Sequence, residues 1–189
     1  VVDHGDLDAG CAQELGEARG PVVHLDPQGA GAVQQGLGGA GVAQLAAVTG
    51  YWRRRLKQSA KLITPEPMLD EFYRSHAMHL LVNCEREPGS DRRFARVGSF
   101  SYGAYGNESC MMVVDLDRRG YHKEAQDCLD AWLHYQGTVA LPGSFASREG
   151  VLYGAGGYEA GGYNQHHGWI LWMLAEHYRF TRDQAWLRQ

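Results

Sequence analysis

Tyr163-Asn164-Gln165-His166-His167-Gly168-Trp169-Ile170-Leu171-Trp172-Met173-Leu174-Ala175-Glu176-His177-Tyr178 follows a glycine- and tyrosine-rich run from Tyr153 to Gly162. A loop of glycine, tyrosine, amide and imidazole ends where an apolar helical pattern begins, so polar side chains are delivered to the mouth of a buried helix. The layout has a counterpart upstream. Val97-Gly98-Ser99-Phe100-Ser101-Tyr102-Gly103-Ala104-Tyr105-Gly106-Asn107-Glu108-Ser109 opens into Cys110-Met111-Met112-Val113-Val114-Asp115-Leu116. Basic residues and a C′ glycine then end that helix at Arg118-Arg119-Gly120.

A second helix follows at once, with Ala125, Cys128, Leu129, Trp132, Leu133 and Tyr135 on its apolar side and Glu124, Asp127 and Asp130 facing out. Likewise the helix from Gly168 to about Phe180 turns through Thr181-Arg182-Asp183 into Gln184-Ala185-Trp186-Leu187. The turns at Gly120 and Thr181 lie about sixty residues apart, which suits a helical hairpin plus a long loop as the repeating unit. The fold class this predicts is all-α, an array of αα-hairpins whose long loops gather on one face. Function is expected on that face.

Working back toward the N-terminus, Glu85 to Arg96 reads as a charged connection with a turn at Pro88-Gly89-Ser90-Asp91. Before it, Met68, Leu69, Phe72, Tyr73, His76, Met78, His79, Leu80, Leu81 and Val82 predict a helix running to about Cys84, capped by Thr64 with Pro65 in its first turn. His76 and His79 share a face, but no third ligand is near, so they read as half-buried, hydrogen-bonded histidines of a helix interface. Tyr51, Trp52 and Leu56 fall on one side of a short surface helix, with Arg53, Arg54, Arg55 and Lys57 solvating the other.

Residues 1–50 differ in kind. They hold eleven of the 25 glycines, none of the aromatics, and six acids against Arg19 alone. So few large side chains give little with which to build a core. We read them as a poorly structured Gly/Ala-rich lead-in that becomes helical only near its end, or as sequence foreign to the domain. Residues 51–189 form the domain proper.

The bulk composition narrows the class of partner. A net charge of −4 and a pI near 6.1 give no electrostatic reason to expect nucleic acid or an anionic membrane. No apolar run is long enough to span a bilayer. Cys11, Cys84, Cys110 and Cys128 are scattered without metal-ligand spacing and read as reduced thiols, mostly buried.

Residues from about Tyr51 to Gln189 resemble the first part of the catalytic domain of the six-hairpin, or (α/α)6, glycoside hydrolases, the superfamily of glucoamylase, glucodextranase and the processing α-glucosidases. The stretches that carry the resemblance are Tyr51 to Leu56 with Thr64-Pro65-Glu66-Pro67-Met68-Leu69, Tyr102-Gly103-Ala104-Tyr105-Gly106-Asn107-Glu108-Ser109, Gly162 to Trp169, and Leu174 to Leu187. The resemblance implies an incomplete toroid, since about five helices stand where the barrel needs twelve. Self-association through unpaired helix faces is expected in consequence. It also implies a carbohydrate substrate, no cofactor and no metal.

Inverting glycoside hydrolysis needs an acid over the leaving oxygen and a carboxylate holding water on the opposite face, roughly 6.5 to 9.5 Å away. Glu108 and Glu159 are the candidates, with Glu149 further out. Where the glucoamylase-like relatives place an Arg-Asp pair that grips sugar hydroxyls, this chain has Asn107-Glu108, which keeps a carboxylate without the guanidinium. Glu108 is therefore assigned to hydroxyl binding. Glu159, the only acid between Tyr153 and His167, is the catalytic candidate, its alternatives being a substrate contact or a solvated loop residue. Tyr102, Tyr105, Tyr158, Tyr163 and Trp169 could stack on pyranose rings, while Asn107, Asn164, His166 and His167, with Gln165, offer neutral donors and acceptors. The resemblance places the true acid and base on later loops, beyond Gln189, so the chain alone is expected to be inactive. Two other readings stand beside it, an epimerase-type toroid using histidine for proton transfer and a non-catalytic helical-hairpin binding module.

Overall fold

The computed structural model describes residues 39–98 and 102–188, and these are mostly helical. The expectations for residues 1–38, including Cys11 and Arg19, and for Phe100 lie outside the described residues. The chain divides into two compact units after Lys57.

In the first unit, α1 (Gly39–Lys57) is a continuous helix with no buried residue. The short helix expected from Tyr51 is thus the end of a longer one. Ala40, Ala43, Leu45, Ala46 and Ala47 have the helix propensity to extend it back through Gly50. The tract expected to become helical only near its end is helical from Gly39 onward.

The second unit begins at Gln58, and its first helix, α2 (Pro67–Val82), starts later than the sequence suggested. Glu66 occupies the N-cap position and Pro67 the first turn, in place of Thr64 and Pro65. The reason lies in Asp70. Its Oδ1 accepts from both the Thr64 amide and the Thr64 hydroxyl at 2.9 Å, folding 64–66 into a turn ahead of the helix. Of the broad apolar face expected for α2, Leu80 and Leu81 are buried, together with Ala77 from outside that set, whereas Met68, Leu69 and Phe72 are exposed.

The charged connection is not a simple loop. It forms an antiparallel hairpin of β1 (Cys84–Arg86) and β2 (Arg93–Ala95), with Cys84 opposite Ala95, Glu85 opposite Phe94 and Arg86 opposite Arg93. Glu87 closes it, accepting from Ser90 Oγ at 2.7 Å and Arg92 Nε at 2.8 Å, and from the hydroxyl of Tyr135. Burial alone would raise the Glu87 carboxyl, but the hydrogen bonds from Tyr135, Ser90 and Arg92 outweigh it and leave the pKa lowered. Phe94 anchors the hairpin from its other face, edge-on to Trp132 at 5.4 Å.

The core lies between three helices. Buried Cys110, Met112, Val113, Val114 and Leu116 come from α3 (Gly106–Arg118), Ala125, Cys128, Leu129 and Trp132 from α4 (His122–His134), and Ile170 and Met173 from α5 (Gln165–Thr181). Each large side chain so buried contributes about 1.5–3 kcal/mol. Gly120, at φ +88°, makes the reversal between α3 and α4, a backbone conformation that a Cβ would strain. Arg182 takes the left-handed position after α5, at φ 55°, and Asp183 caps the short α6 (Gln184–Leu187) through the amides of Ala185 and Trp186.

α3 and α5 lie side by side and parallel. At one end a Cβ on Gly106 would sit 2.9 Å from the Cβ of His166, so the helices meet there with no room for a side chain. At the other end Asp117 bonds His177. Both pairs are separated by the same sixty positions, so the repeat read from the sequence is realised in register. Around the turn, Arg119 ties α2 to the hairpin, donating to Asp115 Oδ2 (2.9 Å), Tyr73 O (2.6 Å) and His76 Nδ1 (3.3 Å). His76 is thereby the hydrogen-bonded interface histidine expected. Cys84, Cys110 and Cys128 are free and buried.

Candidate functional site

Because α3 and α5 are parallel, the loops that precede them meet at one end. The Ala104 amide donates to Tyr158 O at 2.7 Å, and Ala104 and Glu159 form a parallel bridge. Tyr102, Tyr105, Tyr158 and Tyr163 are thus brought to one face of the unit.

His166 forms its floor. Only 1% exposed, it lies edge-on to Tyr105 (6.1 Å) and Tyr163 (5.6 Å) and stacks on Tyr153 (6.1 Å). Burial lowers its pKa, so the ring is neutral at pH 7. Its Nε2 has no hydrogen-bond partner among the described residues, and neither have Asn107 Oδ1 and Glu108 Oε2. Buried polar atoms without partners carry a free-energy cost, which is why they cluster where a ligand or water completes them.

Glu108 stands in the first turn of α3, where the helix dipole favours a carboxylate. Its Oε1 accepts from the Tyr102 hydroxyl at 3.3 Å, and the Tyr102 ring lies 5.2 Å from that of Tyr105. Tyr102 has its own pKa raised, by desolvation first and then by the charge of Glu108.

Glu159 is differently employed. Its Oε1 accepts from the amides of Ala155 (2.6 Å) and Gly157 (3.3 Å), holding the tip of its own loop. An oxygen engaged with two amide hydrogens cannot also carry the proton a general acid delivers, so Oε2 alone is left for that role. His167 is also committed, its Nδ1 accepting from the Leu152 amide at 3.0 Å. Asn164 occupies the N-cap position of α5 with no side-chain capping bond. Trp169 packs edge-on against Trp172 at 6.0 Å. Glu149 is exposed, on a separate part of the loop.

Arg96 is the residue the sequence did not single out. Buried immediately after β2, it pairs with Glu85, donates from Nη1 to Tyr102 O at 3.0 Å, and lays its guanidinium over the Tyr158 ring at 4.6 Å. One side chain thereby joins the hairpin to both loops. Nothing in its local spacing announces this, because its partners lie 6 and 62 positions away. Tyr153, quoted within the loop but not chosen, is the ring stacked on His166.

These residues define a helical-hairpin protein with an aromatic loop face that carries a carboxylate. In comparison with known proteins, no family model matches the chain, and no curated protein and no solved structure does so. Among the described residues no group of three or more His, Cys, Asp and Glu could hold a metal ion, and no helix is long and apolar enough to cross a membrane.

Proposed function

We propose that this chain builds a carbohydrate-binding face of the six-hairpin glycoside hydrolase type, with α3–α4 and α5–α6 as successive hairpins of an (α/α)6 toroid. The observation that carries the reading is the convergence of Tyr105, Tyr153 and Tyr163 around His166 at the loop end of two parallel helices, with Tyr102 against Tyr105 and its hydroxyl on Glu108. Aromatic rings stack on the apolar faces of pyranoses, while a carboxylate, an amide oxygen and an imidazole accept or donate to the ring hydroxyls. Glu108 binds hydroxyls. Glu159 orders the loop and contacts substrate through Oε2, and the acid and water-activating base of an inverting mechanism act across the sugar from this wall.

The test is titration of the full chain with neutral oligosaccharides, monitored by calorimetry, together with proton spectra of any product to read its anomeric form. Binding weakened about tenfold by Tyr105→Ala or Glu108→Gln is expected, the loss of one stacking or charge-assisted contact. Absence of binding across the panel would refute the reading. A non-catalytic binding module is the second reading, favoured by the exposure of Met68, Leu69 and Phe72 on α2. It predicts sugar-independent capture of an apolar peptide through those residues.

A further inference from the structure

Resting on the carbohydrate reading, we infer that the corner formed by Glu108, Tyr102 and Tyr105 selects a sugar bearing a protonated amine and rejects acidic sugars. Among the described residues Glu108 Oε2 is buried without a hydrogen-bond partner, and the donor on its other oxygen is a neutral phenol at 3.3 Å. Among those residues no ion pair is made to this carboxylate. The guanidinium tied to this loop, that of Arg96, is spent elsewhere, on Glu85, the Tyr102 carbonyl and the Tyr158 ring. The dipole of α3 offsets part of the charge but supplies no hydrogen to Oε2.

The two tyrosines add to the same preference. Their rings lie 5.2 Å apart and tilted by 38°, with the Tyr102 hydroxyl on the carboxylate, and the face of an aromatic ring attracts cations through its quadrupole. Asn107 contributes a second buried acceptor, Oδ1, also without a partner among the described residues. His166, neutral behind them, offers no positive charge. An ammonium carries three donors and no acceptor, which matches a corner presenting acceptors and π faces. A uronate or sulfated sugar brings a second anion to an unneutralised carboxylate, which is repulsive.

The experiment titrates the full chain at pH 6.5 with four tetrasaccharides: fully deacetylated chitotetraose, its N-acetylated form, a neutral glucotetraose and a tetragalacturonate. The deacetylated sugar is expected to bind about tenfold more tightly than the acetylated and neutral ones, with the galacturonate weakest. Glu108→Gln should remove that preference, so that the deacetylated and neutral sugars bind equally, on top of the roughly tenfold weakening of neutral-sugar binding expected for this variant. A preference that survives in Glu108→Gln would show general attraction to an acidic protein and overturn the inference. Equal binding of all four, or tighter binding of galacturonate, overturns it too while leaving the carbohydrate reading intact. If no sugar binds, both fall. Tyr102→Phe, which removes the phenol donor to Glu108 and keeps the ring, is expected to retain the amine preference.

Discussion

Asp117 and His177, sixty positions apart, meet in the interior of the protein, with His177 Nδ1 donating to Asp117 Oδ2 at 2.9 Å and both side chains at most 1% exposed. His122 Nδ1 adds a second bond to the same carboxylate at 2.8 Å, so α3, α4 and α5 share one polar centre. Trp186 of α6 closes over it, edge-on to His177 at 4.6 Å. Asp117→Ala leaves two imidazoles without their acceptor. It should lower unfolding stability by about 1–3 kcal/mol in urea denaturation of the full chain. Asp117→Asn, which keeps the shape and one acceptor, should cost less.

Gly106 makes the contact at the opposite end. Gly106→Ala places a methyl 2.9 Å from the Cβ of His166 and 3.2 Å from its Cα, against backbone that cannot yield. The helices should separate there at a cost of about 1–3 kcal/mol. Changes in near-ultraviolet circular dichroism from Tyr105 and Tyr153 would report the displacement; an unchanged spectrum with full stability would contradict the close packing.

His166 makes stability sensitive to acid. Its folded pKa lies below its ordinary value because burial disfavours the imidazolium. The unfolded chain therefore binds the proton first, and stability falls as pH drops below about 6.5, by no more than about 1.4 kcal/mol per pH unit for this one group. Above that pH both states are neutral and the contribution is flat. The slope of melting temperature against pH between about 7 and 5.5 should be shallower in His166→Gln.

How much of this is legible in the sequence follows the range of the interactions. The sixty-residue repeat is readable because a hairpin's turn signals are local: Gly120 and Thr181-Arg182-Asp183 stand beside the helices they end. The loop tyrosines are legible for the same reason. The β-hairpin is not, since Cys84 to Arg86 and Arg93 to Ala95 are three residues each, too short for alternation to show, and Phe94 is held by Trp132 from far along the chain. Thr64 has the chemistry of a cap, but Asp70, one turn into α2, captures it. Glu159 shows what composition leaves out: a lone acid in a glycine loop invites a catalytic role, and only the structure shows that one of its oxygens, Oε1, holds the loop's own amides.

Arg96 offers a test of loop cohesion. Arg96→Met strands Glu85 and frees the Tyr102 carbonyl, and should cost about 1–3 kcal/mol and quicken chymotryptic cleavage at Tyr102 and Tyr158. Arg96→Lys restores a charge for Glu85 but lacks the planar fork that reaches Tyr102 while lying on Tyr158. Its cleavage rate should fall between those of Arg96→Met and the unaltered chain.

Thiol chemistry checks the core. Burial pushes the Cys110 thiol up to about 11, and Cys128 is held well above its usual range by its hydrogen bond with Cys84 and by burial. Cys110 and Cys128, with so little thiolate at about pH 8, and Cys84, shielded by its burial, should resist iodoacetamide in the native state and react fully in denaturant, as read by mass spectrometry. Rapid native labelling of Cys110 would contradict its packing in α3.

The register between α3 and α5 is fixed at Gly106 with His166 and at Asp117 with His177, both points lying outside the span of chain that links the two hairpins. The exposed part of that span ahead of the buried Val151 can therefore change length without disturbing how the helices align, and lengthening a loop costs only a logarithmic increment of closure entropy. Insertion or exchange of segments within residues 139–150 should be tolerated by the scaffold, which makes the protein a frame onto which new recognition loops can be grafted.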